Sequence, residues 1–198
     1  MDISALHTAT EQLASYLSEV TSGDLTSQTP CEEWDVRDLY DHLLDENLAF
    51  AQALTGARRA PDAPPDPASA PPIGDSPRHG FDQTYRRTAR DMEDAFASPD
   101  DESQVREVPG VPGARSIHDL YGMQLCDTVI HTWDLARALG FEWEVDPTVA
   151  ALVLRRLELL PGSARGTGKA FGQVRHAVTP DRSTLEHILI LSGRTPDE

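Results

Sequence analysis

Apolar side chains that recur every three or four residues are the feature that most constrains how this chain folds. The spacing is regular between residues 81 and 96, at Phe81, Tyr85, Thr88, Met92 and Phe96. Positions spaced in this way form one face of an α-helix, and other parts of the chain must cover that face. Because the same pattern returns along most of the sequence, we predict an all-α protein.

Residues that cap or end helices predict the helix boundaries. Asp35 and Ser116 are typical N-caps, and Asp119 stands at the capping-box position after Ser116. Gly56 and Gly140 are placed to end the second and fourth helices. The predicted helices cover about residues 3–20, 36–54, 81–98, 117–139, 147–160 and 184–191.

The order of these helices predicts the domain organisation. Four helices precede residue 140, so we expect a four-helix bundle over residues 1–140, in antiparallel or crossover order. Within it, the proline-rich stretch 60–77 predicts an extended connection. Residues 141–198 form a small, mostly helical C-terminal extension, in which residues 174–178 have the composition of a short strand.

Charge and composition argue against several classes of partner. The chain carries 17 basic and 33 acidic residues, a formal net charge of −16, which disfavours nucleic acid or an anionic membrane as the main partner. No apolar run is long enough to span a membrane, and the first residues lack the features of a signal peptide, so we expect a cytoplasmic protein. Two cysteines outside a CxxC pair do not indicate a disulfide framework.

Two predicted helices each carry a histidine beside carboxylates. Asp127 and His131 are four residues apart and therefore lie on one face of the fourth helix. In the second helix, Asp38, His42 and Glu46 recur with the same spacing. If the two helices pack together, His42, Asp127 and His131 provide two imidazoles and one carboxylate, which suits a divalent metal with an open coordination position.

The residues around the Asp127–His131 pair support this interpretation. Most of the neighbouring positions are apolar, and a buried carboxylate is costly unless it is paired or bound to a cation. Gln124 and Asp134 fall on nearly the same helix face and are candidates for orienting the ligands. The alternative is a local hydrogen bond on a solvated helix face, because short motifs of this kind have low specificity.

Other chemically suggestive residues are interpreted as structural. Cys31 is followed by two glutamates, which disfavour a reactive thiolate, and Cys126 is expected in the core. His118 lies opposite Asp127 on its helix and is expected at the surface. Trp34 and Trp133 are expected to be packing anchors, with Trp133 near enough to the ligands to line a pocket.

Three segments of the chain carry a family resemblance. They are TPCEEWDVRDLYDH at 29–42, DTVIHTWDLARALG at 127–140 and LSGRTP at 191–196. Together they resemble an actinobacterial metal-binding family of the DinB-like superfamily, which includes the mycothiol-dependent maleylpyruvate isomerases. The resemblance extends over nearly the whole chain.

The resemblance implies a DinB-like four-helix bundle that holds a divalent metal, usually zinc. Carried over residue by residue, the ligands are His42, Asp127 and His131. The isomerase branch has a glutamate where this chain has the shorter Asp127, which leaves nickel and iron open as alternatives to zinc. The C-terminal part is also shorter than the second domain of the isomerases, so their substrate does not transfer to this chain.

Several functions fit these observations. The resemblance implies a metal-dependent S-transferase or isomerase, in which the metal activates mycothiol for attack on a small electrophile. A metal-dependent hydrolase would use Glu46 or Asp134 as its base. A non-catalytic metal-binding protein for stress response or partner binding, and a plain helical bundle, are further alternatives. The sequence also leaves open whether an exposed helix face supports a homodimer.

Overall fold

The structure is a computed structural model that describes residues 1–31, 34–56, 80–166 and 171–196. Within these ranges the chain is mostly α-helical, which confirms the predicted fold class. The helices are α1 (Ser4–Leu17), α2 (Val36–Thr55), α3 (Phe81–Ala97), α4 (Ile117–Leu139), α5 (Pro147–Glu158) and α6 (Thr184–Ser192). The proline-rich stretch 60–77 lies outside the described residues.

The helices that carry the candidate ligands begin at the predicted caps. The Asp35 side chain accepts a hydrogen bond from the backbone N–H of Asp38 (2.9 Å), and the Asp38 carboxylate accepts one from the N–H of Asp35 (3.2 Å). Ser116 Oγ accepts from the N–H of Asp119 (3.0 Å) at the start of α4. These bonds satisfy backbone donors that a helix leaves free at its N-terminus, so they define where α2 and α4 start.

The first four helices pack side by side around a common interior. Helix α3 contacts α1 and α2, and α4 contacts α1 and α2. Helix α4 is buried on most of its faces, which places it at the centre of the molecule. One part of the interior is made of buried apolar residues from α1 to α4, among them Leu13, Leu17, Leu39, Leu43, Tyr85 and Leu135.

The residues after 140 continue the same interior. Helix α5 contacts α1, α4 and α6, and α6 also contacts α4. A second cluster of buried residues joins these helices to the bundle, among them Leu6, Leu125, Val153, Leu157, Phe171 and Ile188. The boundary at residue 140 stays a prediction, but the two sides of that boundary share one core.

The minor β-structure differs from the prediction. The predicted strand at 174–178 is wrong: these residues are irregular, and the side chains of Val174 and Val178 are exposed. A strand needs a neighbour to pair with, and this segment has none among the described residues. A short antiparallel ribbon instead joins β1 (Val105–Arg106) to β2 (Arg115–Ser116), just before α4.

None of the helices in the described ranges is both long enough and apolar enough to cross a membrane.

Candidate metal centre

The packing of α2 against α4 brings His42, Asp127 and His131 together. One ligand atom from each side chain lies within 4.8 Å of the other two. Asp127 Oδ2 is 3.6 Å from His42 Nε2, and Asp127 Oδ1 is 3.3 Å from His131 Nε2. The two imidazole rings are 4.9 Å apart between centroids and nearly perpendicular, at 74°. The three residues named from sequence therefore form one cluster, the triad.

Two of the separations within the triad are close to those between the ligand atoms of a metal ion. Tetrahedral zinc with bonds of about 2.0–2.1 Å holds its ligand atoms about 3.3–3.5 Å apart. The two separations from Asp127, 3.3 Å and 3.6 Å, are close to this value. Two imidazole nitrogens and one carboxylate oxygen also form a donor set that zinc, iron and nickel accept.

Two atoms of the triad are buried without a hydrogen-bond partner among the described residues. They are His42 Nε2 and Asp127 Oδ2. Their separation of 3.6 Å is too long for a hydrogen bond between them. Because a buried polar atom without a hydrogen-bond partner is costly, two such atoms 3.6 Å apart call for a shared partner. A cation bound by both atoms would satisfy each of them.

A second carboxylate orients His131 from behind. His131 Nδ1 donates a hydrogen bond to Asp134 Oδ2 over 2.8 Å, which turns Nε2 towards Asp127. Arg194 donates to the same carboxylate with two nitrogens, from Nη2 to Oδ2 (2.7 Å) and from Nε to Oδ1 (3.2 Å). Carboxylate–histidine–metal arrangements of this kind fix the ring and its tautomer in metalloproteins.

The charged groups in and around the triad shift one another's pKa values. Burial lowers the pKa of His131, but Asp127 and Asp134 outweigh burial and raise it to about 10. Burial raises the pKa of Asp127, yet the two imidazoles hold it well below its ordinary range. The metal-free site therefore favours a proton on His131 and a charge on Asp127. A metal ion and that proton compete for His131 Nε2.

Glu46 lies one helical turn beyond His42, and the charges of the triad also shift its pKa. Burial and the nearby Asp127 raise its pKa to about 7, although His42 and His131 act in the opposite direction. A carboxyl group whose pKa is near neutrality can exchange a proton at physiological pH. That Glu46 acts as a base remains a prediction.

In the described part of the chain, the Gln124 side chain is hydrogen-bonded to Asn47 and not to a residue of the triad. Its Nε2 donates to Asn47 Oδ1 (3.3 Å), and Asn47 Nδ2 in turn donates to Thr88 Oγ1 (3.1 Å). Gln124 Oε1 is buried without a partner among the described residues. The role of Gln124 in orienting a ligand stays a prediction, whereas the contacts of Asp134 support that role for Asp134.

Trp34 is the aromatic residue that covers the triad. Its ring centroid is 4.7 Å from that of His42 and 5.8 Å from that of His131, with an angle of 26° to the latter ring. Its backbone N–H donates to Cys31 O (3.1 Å), and its carbonyl accepts from Thr29 N–H (3.1 Å). Trp34 thus covers one side of both histidines, and Trp133 is buried in α4.

The remaining candidate residues lie as follows. Burial raises the pKa of Cys126 to about 12, which keeps it a neutral core thiol as predicted. The side chain of His118 is 75% exposed, and its Nδ1 atom lies 3.6 Å from Glu102 Oε2. Cys31 is partly buried in the turn before α2, and the two glutamates that follow it lie outside the described residues.

Two surface hollows lie away from the triad. One is a groove of about 330 Å³ between the last turns of α2 and α3, lined by residues such as Thr55 and Asp91. The other, of about 470 Å³, is formed around Val108 and Val111. Neither is lined by the triad, so the convergence of metal-binding atoms, and not surface shape, identifies the site.

Comparison with known families identifies the family of the chain. The family model described as mycothiol maleylpyruvate isomerase N-terminal domain matches residues 6–136. The chain belongs to this family. The match covers the three triad residues and Asp134, and it ends well before Arg194. The family resemblance noted in the sequence is thereby confirmed.

Two relatives come from Mycobacterium tuberculosis. They are the uncharacterized protein Rv0738 of strain H37Rv and the uncharacterized protein MT0763 of strain CDC 1551. Each is 28% identical to this chain over 190 residues, which cover 94% of this chain and 94% of the relative. No solved structure matches the chain.

Proposed function

We propose that this protein is a divalent-metal-dependent enzyme that activates a low-molecular-weight thiol of the mycothiol class for attack on a small electrophile. The single observation that carries the proposal is the pair of buried, unpartnered atoms His42 Nε2 and Asp127 Oδ2 within the triad. Membership of the mycothiol maleylpyruvate isomerase family supports the choice of thiol. Zinc is the metal we expect, with nickel and iron as alternatives.

The ligand set suits thiol activation. A bound divalent metal lowers the pKa of a coordinated thiol, so that the thiolate is present at neutral pH. His42 and His131 are neutral donors in such a site, and Asp127 contributes a single negative charge. The net charge therefore stays positive and favours an anionic sulfur. Three protein ligands also leave a coordination position for an exogenous group, as in catalytic zinc sites.

The surrounding residues hold this arrangement in place. Asp134 keeps the Nε2 atom of His131 turned towards Asp127. Trp34 covers one side of both imidazoles, which limits water there and strengthens electrostatic interactions at the site. The class of reaction depends on what happens to the sulfur–carbon bond that forms when the thiolate attacks the electrophile. If it persists the reaction is S-transfer, and if the thiol leaves again the reaction is an isomerisation.

Metal-dependent hydrolysis is the second candidate function. The observation in its favour is Glu46, whose pKa of about 7 suits a general base that removes a proton from water. Asp134 is less suited to this role, because it is fully buried and already accepts hydrogen bonds from His131 and Arg194. A non-catalytic metal-binding function is the outcome if neither reaction is detected.

The first experiment measures the metal content of the purified protein by plasma mass spectrometry. We expect about one metal per chain in the wild type and its loss in His42→Ala. His118→Ala is the matched control, because this histidine also lies on a helix but is exposed and far from the triad. Absence of metal from the wild type after zinc addition, or equal metal in His42→Ala, would contradict the proposal.

The second experiment separates the two reactions. Zinc-loaded protein is incubated with an unsaturated or halogenated electrophile, with and without mycothiol, and the products are identified by mass spectrometry. We expect mycothiol-dependent product from the wild type, none from His42→Ala, and product still formed by Glu46→Gln. Product formed without thiol, with an oxygen atom from labelled water, and lost in Glu46→Gln would support hydrolysis instead.

A further inference from the structure

The C-terminal segment reaches the metal centre through Arg194. We infer that Arg194 is a positioning residue for the metal ligand His131 and that it acts through the carboxylate of Asp134. This inference rests on the proposed metal site.

The contacts form a continuous chain of hydrogen bonds. Arg194 binds both oxygens of Asp134, at 2.7 Å and 3.2 Å, and Asp134 Oδ2 accepts from His131 Nδ1 at 2.8 Å. A guanidinium that holds both oxygens of a carboxylate fixes the plane of that carboxylate as well as its position. The direction of His131 Nε2 therefore depends on a residue 60 positions further along the chain than Asp134.

The charge of Arg194 is needed because Asp134 is fully buried. Its side chain has 0% exposure, and Arg194 is only 13% exposed. A buried carboxylate with no compensating charge is strongly unfavourable, and Asp127 already places a second negative charge near His131. Arg194 compensates for Asp134 and leaves the charge of Asp127 available to a metal ion.

A helix end, a backbone hydrogen bond and close packing fix the position of the backbone at Arg194. Gly193 ends α6 in the left-handed conformation (φ 87°), and the N–H of Arg194 donates to Leu189 O over 2.8 Å. Gly193 also lies directly against Gly172, where a Cβ built on Gly193 would be 2.6 Å from the Gly172 carbonyl carbon. The segment is therefore tightly packed against residue 172.

The donors of Arg194 are directed at protein atoms. Nε and Nη2 bind Asp134, and Nη1 donates to Ser192 O over 3.3 Å. A guanidinium used in this way and largely buried is suited to hold Asp134 and not to bind a substrate anion directly. This distinguishes a positioning residue from a residue that touches substrate.

The test compares zinc affinity in Arg194→Met, Arg194→Lys and Arg165→Met by chelator competition on the full-length protein. Arg165 is the matched control, because it also fastens the C-terminal segment, through Leu191 O and Leu157 O, without contacting Asp134. We expect Arg194→Met to weaken zinc binding about tenfold, the lower end of the 10- to 100-fold loss that is typical when a direct hydrogen-bond partner of a metal ligand, such as Asp134, is removed. Arg194→Lys should recover part of the loss, and Arg165→Met should lower the melting temperature with little change in zinc affinity.

A double-mutant cycle tests the route through Asp134. If Arg194 acts through that carboxylate, Arg194→Met should change zinc affinity by less than about threefold in an Asp134→Asn background. The visible spectrum of the cobalt-substituted protein gives a second readout, and Arg194→Met should alter its bands where Arg165→Met does not. Circular dichroism verifies that each variant is folded.

Three results would overturn the inference: wild-type zinc affinity in folded Arg194→Met, an equal loss of affinity in Arg165→Met, or full additivity with Asp134→Asn. A wild-type protein that binds no metal would instead refute the proposed function, and the inference would fall with it.

Discussion

Asp127 and Asp134 control whether the Nε2 atom of His131 carries a proton. Asp127 lies 3.3 Å from Nε2, and Asp134 accepts a hydrogen bond from Nδ1. In the absence of a cation both carboxylates favour the imidazolium, and they raise the pKa of His131 to about 10 from an ordinary 6.5. The same two carboxylates favour a metal ion at the proton's place. The raised pKa of His131 and the proposed metal binding would thus both result from the same two carboxylates.

This arrangement predicts a pH dependence of stability in the metal-free protein. The pKa of His131 is raised on folding. The contribution of protonated His131 to the free energy of unfolding is therefore fully present below about pH 6.5 and is lost as the pH rises through about 10. We expect urea unfolding in the presence of a chelator to show that the free energy of unfolding of wild type falls by up to about 5 kcal/mol more than that of His131→Gln over this range. His118→Ala should follow wild type. Parallel curves for wild type and His131→Gln would contradict this.

The ends of helices connect local sequence to the site. Gly140 ends α4 and Gly193 ends α6, both in the left-handed conformation, with φ of 73° and 87°. Their surroundings differ, because a Cβ on Gly140 would meet no atom within 4 Å, whereas one on Gly193 would collide with Gly172. Two glycines with the same local role therefore have different consequences for the tertiary structure.

The two glycines form a matched pair for a mutational prediction. Gly140→Ala should cost about 1–2 kcal/mol, the usual penalty for a left-handed residue with a Cβ. Gly193→Ala should cost more, because the segment must move away from Gly172, and it should also weaken zinc binding by displacing Arg194. Unfolding free energies and zinc competition measure both effects. Equal losses of stability, with unchanged zinc affinity, would count against the role given to this helix end.

At the scale of the whole molecule, the residues after 140 complete the interior that surrounds the site. Leu157 of α5 is fully buried in the same cluster as Leu6 and Leu125, and Arg194 contacts Asp134 in α4. Buried apolar surface shared in this way couples the folding of all the helices that contribute to it. The extension is therefore part of the structural basis of the triad.

This coupling predicts a single unfolding transition. Leu157→Ala should destabilise the whole protein by about 2–5 kcal/mol, the range for truncating a buried leucine. Leu159→Ala is the matched control, because Leu159 is 74% exposed and its loss should change stability by less than about 0.5 kcal/mol. Circular dichroism and tryptophan fluorescence should report coincident unfolding curves. Two separate transitions, with Leu157→Ala affecting only one, would instead favour an independent extension.

The local sequence was sufficient to predict the helices and the members of the triad. Apolar spacing and capping residues such as Asp35 and Ser116 act over a few positions, so the bounds of α2, α3 and α4 follow from them. Helical spacing placed Asp127 and His131 on one face and His42 beside two carboxylates on the second helix, and the family resemblance implied the same three residues as ligands. Each of these features depends on interactions within one helix or on a recognisable motif.

Only the tertiary structure determined how the site is covered and supported. Trp34, just before α2, lies over both imidazoles, and Arg194 reaches Asp134 because α6 packs against α4 and residue 172. The mistaken strand at 174–178 has the same origin, since a strand depends on a partner that the segment itself does not encode. Contacts between residues distant in sequence leave no periodic signal, so the packing of the complete chain decides them.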